Sequence, residues 1–325
     1  MSSILTNASA LSALQALSAT QSSLATVQNQ VSTGLAVATA ADNSAYWSIA
    51  AQLGQDSGIV KASNDALTQS QSILSTATSA IASITSTLNA MASALTQAQQ
   101  PNASLTSINT SLVSLGQALT DAINNASFNG ANLLNGTITT TLSDGATTGV
   151  QFVSGYQATS TGGAVQTIGM ATQSLYTSAG VATTDLLNQT VTKAEMDATP
   201  AYKQYDANTK VGTALDLTKF TGGASGTITD ASDAAVYSVA VNQALTAVTS
   251  YAATIGATQN RMTAASTFNT ALQTDYTNGI SGLVDADMNE ASTRLQALQT
   301  QEQLGIQSLS VANQNAQLIL KLFSS

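Results

Sequence analysis

The chain has no cysteine and no histidine. Their absence removes Cys–His nucleophile pairs, imidazole acid–base chemistry and the nitrogen and sulfur donors that zinc and copper prefer. It also rules out disulfides. Charge is scarce: 8% of residues are Asp, Glu, Lys or Arg, against about 25% in an average soluble domain. Ser, Thr, Ala, Asn and Gln fill the space, so a copy of this chain has little with which to repel another. Eight scattered basic residues in a chain of net charge −9 give no electrostatic footprint for a phosphate backbone, which argues against nucleic acid as a partner. No stretch reads as the apolar span of about 20 residues that a membrane helix needs. The N-terminus, MSSILTNASALSALQAL, lacks the basic region and cleavage boundary of a secretory signal. Taken alone, these absences point to a soluble cytosolic protein without catalytic function, metal or cofactor.

What is present is helical periodicity at both ends. Leu11, Leu14, Leu17, Leu24, Val27 and Val31 recur at helical spacing until Gly34. A second helix fits Ser44 to Gln100, ended by Pro101, and a third fits 104–126. Tyr46-Trp47 is expected to pack between helices, since Trp is buried on average. The segments NNASFNGANLLNG (124–136) and TITTTLSDGATTGVQFV (137–153) carry Asn-Gly and Asp-Gly steps that signal turns and a hairpin. Residues 154–228 show no sustained period. Eight charges fall within 193–219, among them Lys203, Lys210 and Asp216, against five in the first 130 residues; the middle is therefore expected to face solvent. Helical spacing resumes near Ala231 and is expected to break around Asn278–Gly282.

The segment GLVDADMNEASTRLQAL (282–298) sets Asp285, Asp287 and Glu290 close together. A D-x-D step can hold a divalent cation, but the third oxygen position is taken by Met288. Acids also collect at helix starts, where free N–H groups and the macrodipole favour negative charge. A long helix does follow. Val284, Met288, Ala291, Leu295, Leu298, Leu309, Ala312, Ala316, Ile319 and Phe323 keep an alternating four–three register, with Glu302 and Gly305 in the two missing turns. Residues 284–323 would extend roughly 60 Å. A second stripe, Leu304, Val311, Leu318 and Leu322, widens the apolar face. Such ends must pack on each other and on neighbouring copies, and unlike surfaces joined head to tail make a ring or an open filament. The seam expected to carry this self-assembly is Leu14, Leu17, Leu24, Val31, Leu295, Leu298, Leu309, Ile319 and Phe323.

In these segments the chain resembles the bacterial flagellins. The likeness runs through SILTNASALSALQAL, VSTGLAVATAADNSAYWSIAAQL (31–53) and NNASFNGANLLNG, then IGATQNRMTAASTFNTAL (255–272) and the run from Ser281 to Phe323. Its wording is that of alphaproteobacterial, rhizobial-type flagellins. The resemblance implies a mainly α fold with long terminal helices forming a coiled-coil tube, a helical and hairpin middle layer, and a smaller β-rich or mixed outer domain. It implies an inner-tube domain of 1–43 and 279–325, an outer-tube domain of 44–153 and 229–278, and a variable exposed domain of 154–228.

The implied function is that of a structural subunit of the flagellar filament, extracellular and secreted through the flagellar type III export apparatus. That replaces the cytosolic expectation. The implied partners are further copies of the chain, other co-assembling flagellins, an export chaperone, and the hook-associated and cap proteins. A hook–filament junction protein shares similar terminal helices and is the alternative. Immune-receptor recognition does not carry over residue by residue. Residues 29–50 align with a plant-recognised epitope, but Ala36 and Ala41 stand where basic residues are usual, and LNAMASAL (88–95) lacks the arginines and glutamate of the animal-receptor stretch. Metalloprotease inserts found in some flagellins need H-E-x-x-H, which a chain without histidine cannot supply.

Overall fold

A computed structural model describes residues 7–136, 149–158, 163–175, 185–198, 210, 214–218 and 227–323, with side chains described as far as 314. The architecture is mainly helical. Packing divides the chain into two compact units, Met1–Gly58 with Leu272–Ser325 and Ile59–Ala271, whose boundary falls inside two long helices, α2 (Ser44–Ala98) and α5 (Ala231–Val284).

In the second unit α2 and α5 run antiparallel, as three ties show. Ser266 Oγ donates to Asn64 Oδ1 at 2.8 Å, Gln259 Nε2 to Thr78 Oγ1 at 3.4 Å and Gln99 Nε2 to Ser238 Oγ at 3.1 Å. Their contact is a heptad seam. Leu67, Leu74, Ile81, Leu88 and Leu95 occupy one position of α2 and Ala77, Ile84, Met91 and Ala98 the other, all buried. From α5 the seam receives Val241, Val248, Ile255 and Met262 on one line and Tyr237, Ala244 and Tyr251 on the next. Seven-residue spacing keeps one stripe facing its partner over many turns. Helix α3 (Leu105–Asn125) adds Leu112, Leu119 and Ile123. The Tyr251 hydroxyl donates to Leu133 O at 3.0 Å, and burial pushes its phenol up to about 12.

Among the described residues this unit also holds three antiparallel strand pairs. Strands β1 (Ser127–Phe128) and β2 (Ala131–Asn132) are joined by Asn129-Gly130, with φ of 49° and 80°. Two left-handed residues make the turn that matches strand twist, which is why Asn-Gly stands there. Strand β3 (Gly149–Gln157) pairs with β4 (Ala164–Ala171), with a bulge between Val153 and Gly155. The bulge turns out Ser154 O, which accepts from Asn269 Nδ2 of α5 at 2.9 Å. Strand β5 (Asn188–Thr190) pairs with β6 (Ala214–Asp216), and the short α4 (Lys193–Ala198) lies between them in sequence. The Asp144-Gly145 part of the expected hairpin lies outside the described residues.

Two expectations are corrected. Charge does not place all of the middle in solvent. Lys210 is buried, its Nζ 2.9 Å from the Asp233 carboxylate and 5.3 Å from the centroid of the Tyr237 ring. Asp233 also accepts from Thr229 N at 2.8 Å, and it stands in the first turn of α5, where a carboxylate is favoured. Leu187, Met196, Leu215 and Leu217 join the same core. Nor does helix α5 break at Asn278–Gly282; it continues to Val284.

Close approach makes Gly116 indispensable. A Cβ there would lie 2.9 Å from Thr218 O and 3.2 Å from Thr218 C, both backbone atoms that cannot swing aside. Gly256, also helical, has nothing within 4 Å of that position. We therefore expect opposite signs from one chemical change. Gly116→Ala should lower monomer stability by about 1–3 kcal/mol, while Gly256→Ala should raise it by about 0.5–1 kcal/mol. Denaturant midpoints of the two variants check this, and a stable Gly116→Ala would refute the close packing.

Candidate assembly interface on the terminal helices

The first unit is built on α1 (Ala8–Thr33) and α6 (Met288–Phe323). Asn7 starts α1 by accepting from Ala10 N at 3.1 Å, and its Nδ2 donates to Ala312 O at 2.9 Å. Further along, Gln21 Nε2 donates to Glu302 Oε1 at 3.3 Å. Gly34 ends α1 in the left-handed conformation, φ 76°, its N–H on Gln30 O. Its own carbonyl accepts from Ala286 N at 2.8 Å, and Ala36 N donates to Val284 O at 2.7 Å. Residue numbers rise on one side of these contacts as they fall on the other. The two helices are antiparallel.

The same contacts explain where α6 begins. The backbone of 284–286 is diverted to the 34–37 loop, so Val284 closes α5 rather than opening α6. Asp287 then caps the new helix, accepting from Asn289 N at 2.9 Å and Glu290 N at 3.3 Å. Asp285 accepts from the Ser281 hydroxyl. Both acids thus serve the backbone and its turn.

On α6 the expected register lies against α1: Ala291 is buried and Leu295, Leu298, Glu302, Gly305, Leu309 and Ala312 are half-buried. Gly305, which looked like a gap in the stripe, is the socket for Leu17; a Cβ there would meet Leu17 Cδ1 at 3.2 Å. On α1 the inward line is Ala10, Ala13, Leu17, Thr20, Leu24, Val27 and Val31, buried or half-buried. Leu11 and Leu14 stand one position off that line and are 75% and 56% exposed. The side chains of Ile319 and Phe323 lie outside the described residues. Tyr46 and Trp47 do not pack between helices in the single chain; they sit in the first turn of α2, before its inward stripe begins at Ala50, and are exposed.

Among the described residues, burial is very unequal between the units. All but four of the buried hydrophobic residues belong to the second unit; the first has Val27, Ala50, Val284 and Ala291. Conversely, nine of the twelve large apolar side chains left exposed are in the first unit, including Leu304, Ile306 and Val311 on α6. Among the described residues none of its helices is long and apolar enough to cross a membrane. Its outward faces hold no cluster of acids suited to a metal among the described residues.

A family model described as the bacterial flagellin N-terminal helical region matches residues 4–139, and one described as the bacterial flagellin C-terminal helical region matches 239–323. The chain belongs to the bacterial flagellins. Along their full length, relatives agree. A flagellin of Brucella melitensis is 35% identical over 324 residues, with 99% of each chain covered. Flagellin C of Rhizobium meliloti is 35% identical over 335 residues, and flagellin FljK of Caulobacter vibrioides 30% over 331, again with 99% of each chain covered. The chain is thus a flagellar filament subunit, a structural and non-enzymatic protein whose place is outside the cell. The cytosolic expectation from composition falls with it, and so does the junction-protein alternative.

One titratable group fixes the loop that follows Gly34 in this flagellin. Asp42 Oδ2 accepts from Thr39 N at 2.8 Å, Thr39 Oγ1 at 3.0 Å and Ala38 N at 3.1 Å. The Thr39 amide first, then its hydroxyl, holds the carboxyl below its ordinary value of 3.8. A depressed folded value means that the carboxylate's contribution is complete above the unfolded value and is lost as pH falls through the lower folded one. Protection of the Ala38 and Thr39 amides from exchange should be constant above about pH 5 and fall only in stronger acid. Asp42→Asn should abolish that acid dependence; if it persists, another group holds the loop.

Proposed function

We propose that the chain polymerises by laying the outward faces of its α1–α6 pair against those of neighbouring copies. The observation that carries this reading is the excess of exposed over buried apolar side chains in the terminal unit. Leu17, Leu24, Val31, Leu295, Leu298 and Leu309 would form the part of the seam shared within one chain. Leu14, with Leu11, Leu304 and Val311, would form the part shared between chains, and Ile319 and Phe323 would extend it. In this reading 1–43 with 279–325 form the inner tube, 44–153 with 229–278 the outer tube, and 154–228 the outermost region.

The polar residues on these faces support burial as well. Thr26 and Thr33 of α1 donate their hydroxyls to Ser22 and Asn29 carbonyls at 3.1 and 2.8 Å. Thr293 and Thr300 of α6 do the same to Asn289 and Gln296, at 2.8 and 3.0 Å. A hydroxyl already bonded four residues back is not left unsatisfied when a neighbour covers it. With so few ionised groups nearby, covering these faces avoids most of the far larger cost of stripping water from a charge.

The wider set of partners follows from the same reading: an export chaperone and the type III apparatus for the unassembled chain, hook-associated and cap proteins at the filament's ends, and other flagellins beside it.

Point charges test the seam. Leu309→Asp or Ile319→Asp should block polymerisation while the second unit stays folded, since an unpaired charge in an apolar seam costs on the order of several kcal/mol. Leu304→Asp is the sharper variant, because Leu304 is 58% exposed in the single chain. It should leave the monomer's circular dichroism unchanged and still suppress filaments seen by electron microscopy. Normal filaments from Leu304→Asp would place the interface elsewhere.

A further inference from the structure

The three Asn-Gly steps of the chain, 129–130, 135–136 and 278–279, share one chemistry and three different environments. An amide nitrogen following asparagine can attack that residue's own side-chain carbonyl carbon when no Cβ on the next residue obstructs it. We propose that Asn129 is the site at which the folded chain spontaneously deamidates, without an enzyme and with water as the sole co-reactant. The Gly130 nitrogen, after losing its proton, bonds to Asn129 Cγ; the Cγ–N bond breaks and ammonia leaves. The resulting five-membered imide is opened by water at either carbonyl. One opening gives aspartate and the other gives isoaspartate, in which the main chain runs through the side-chain carbon.

The structure singles out this step from the other two. Asn129 and Gly130 are both exposed, at the tip of the β1–β2 hairpin. Neither the Asn129 carboxamide nor the Gly130 N–H has a hydrogen-bond partner among the described residues; the hairpin pairs Phe128 with Ala131 and leaves the two between them unpaired. Asn278-Gly279 lies inside α5, where the backbone N–H groups are engaged in the helical ladder. Asn135 is half-buried and has a partner.

The product matters because of what the hairpin holds. Asn132 Nδ2 donates to Ile123 O at 2.7 Å and Asn132 Oδ1 accepts from Leu134 N at 2.8 Å, tying β2 to the end of α3 beside the buried Leu133 and Leu134. Aspartate at 129 would keep this backbone and add a charge. Isoaspartate adds a carbon to a two-residue turn, whose length sets the strand register, and so strains that anchor.

The test is incubation of the purified full chain in mildly alkaline buffer, folded and in urea. Peptide mass spectrometry then reads conversion at the three sites, and methyl transfer by an isoaspartyl methyltransferase reads isoaspartate. In the folded chain, residue 129 should convert at least an order of magnitude faster than 135 or 278, faster as pH rises, while in urea the three should converge. Asn129→Gln, which lengthens the reach by a methylene, should remove that signal and leave the other two unchanged. Conversion at 135 or 278 first, or a folded chain in which 129 is as inert as 278, overturns the proposal.

Discussion

Two helices lying side by side can cover only the stripe where they meet. That constraint governs the terminal unit of this molecule. α1 and α6 each carry more apolar surface than one partner can hide, and among the described residues the pair has almost no interior of its own: Val27 and Ala291 are its buried hydrophobic residues, with Val284 of α5 and Ala50 of α2 the others of the unit. Helical stability in proteins comes mostly from packing an amphipathic face. A pair so thinly packed is stable only to the extent that further helices cover it, and in a homopolymer those helices belong to other copies.

The second unit shows what the same sequence style does when a core is available. Its helices are equally poor in charge and rich in Ser and Thr, yet Leu74, Leu88, Met91, Val248 and Ile255 are fully buried along one seam. Some buried polar groups there are held by partners. Lys210 meets Asp233 over the Tyr237 ring, and burial with the Asp233 and Asp216 carboxylates pushes the Tyr237 phenol up. Neutral hydroxyls bonded back to their own helix, as at Ser70 Oγ to Ala66 O at 2.7 Å, can sit inside the seam without seeking water. The contrast between units thus lies in apolar supply against apolar cover, and not in composition.

Long-period features were legible in the sequence because they rest on spacing. The extents of α2 and α3, the stop at Gly34, the turn at Asn129-Gly130 and the α6 register from Ala291 to Ala312 all follow from residue order alone. Features set by a distant partner were not. Gly305 reads as a weakness until Leu17 is opposite it, and Leu14 reads as part of the stripe until the line through Ala13 and Leu17 is seen to turn it outward. Gly279 and Gly282 suggested a break, but packing overrides the propensity of single glycines. The actual joint comes three residues later, where Gly34 and Ala36 claim the backbone of 284–286. The burial of Lys210 is hidden for the same reason: a lysine reads as solvent-facing unless its partner Asp233 is known.

Amide hydrogen exchange on monomer and filament, resolved by peptide, reads the stability of each helix separately. If neighbouring copies supply the missing cover, 8–33 and 288–323 exchange fast in the monomer and slowly in the filament, while 67–98 and 237–262 are slow in both. Terminal helices as well protected in the monomer as in the filament would contradict that, for they would then be stable without neighbouring copies.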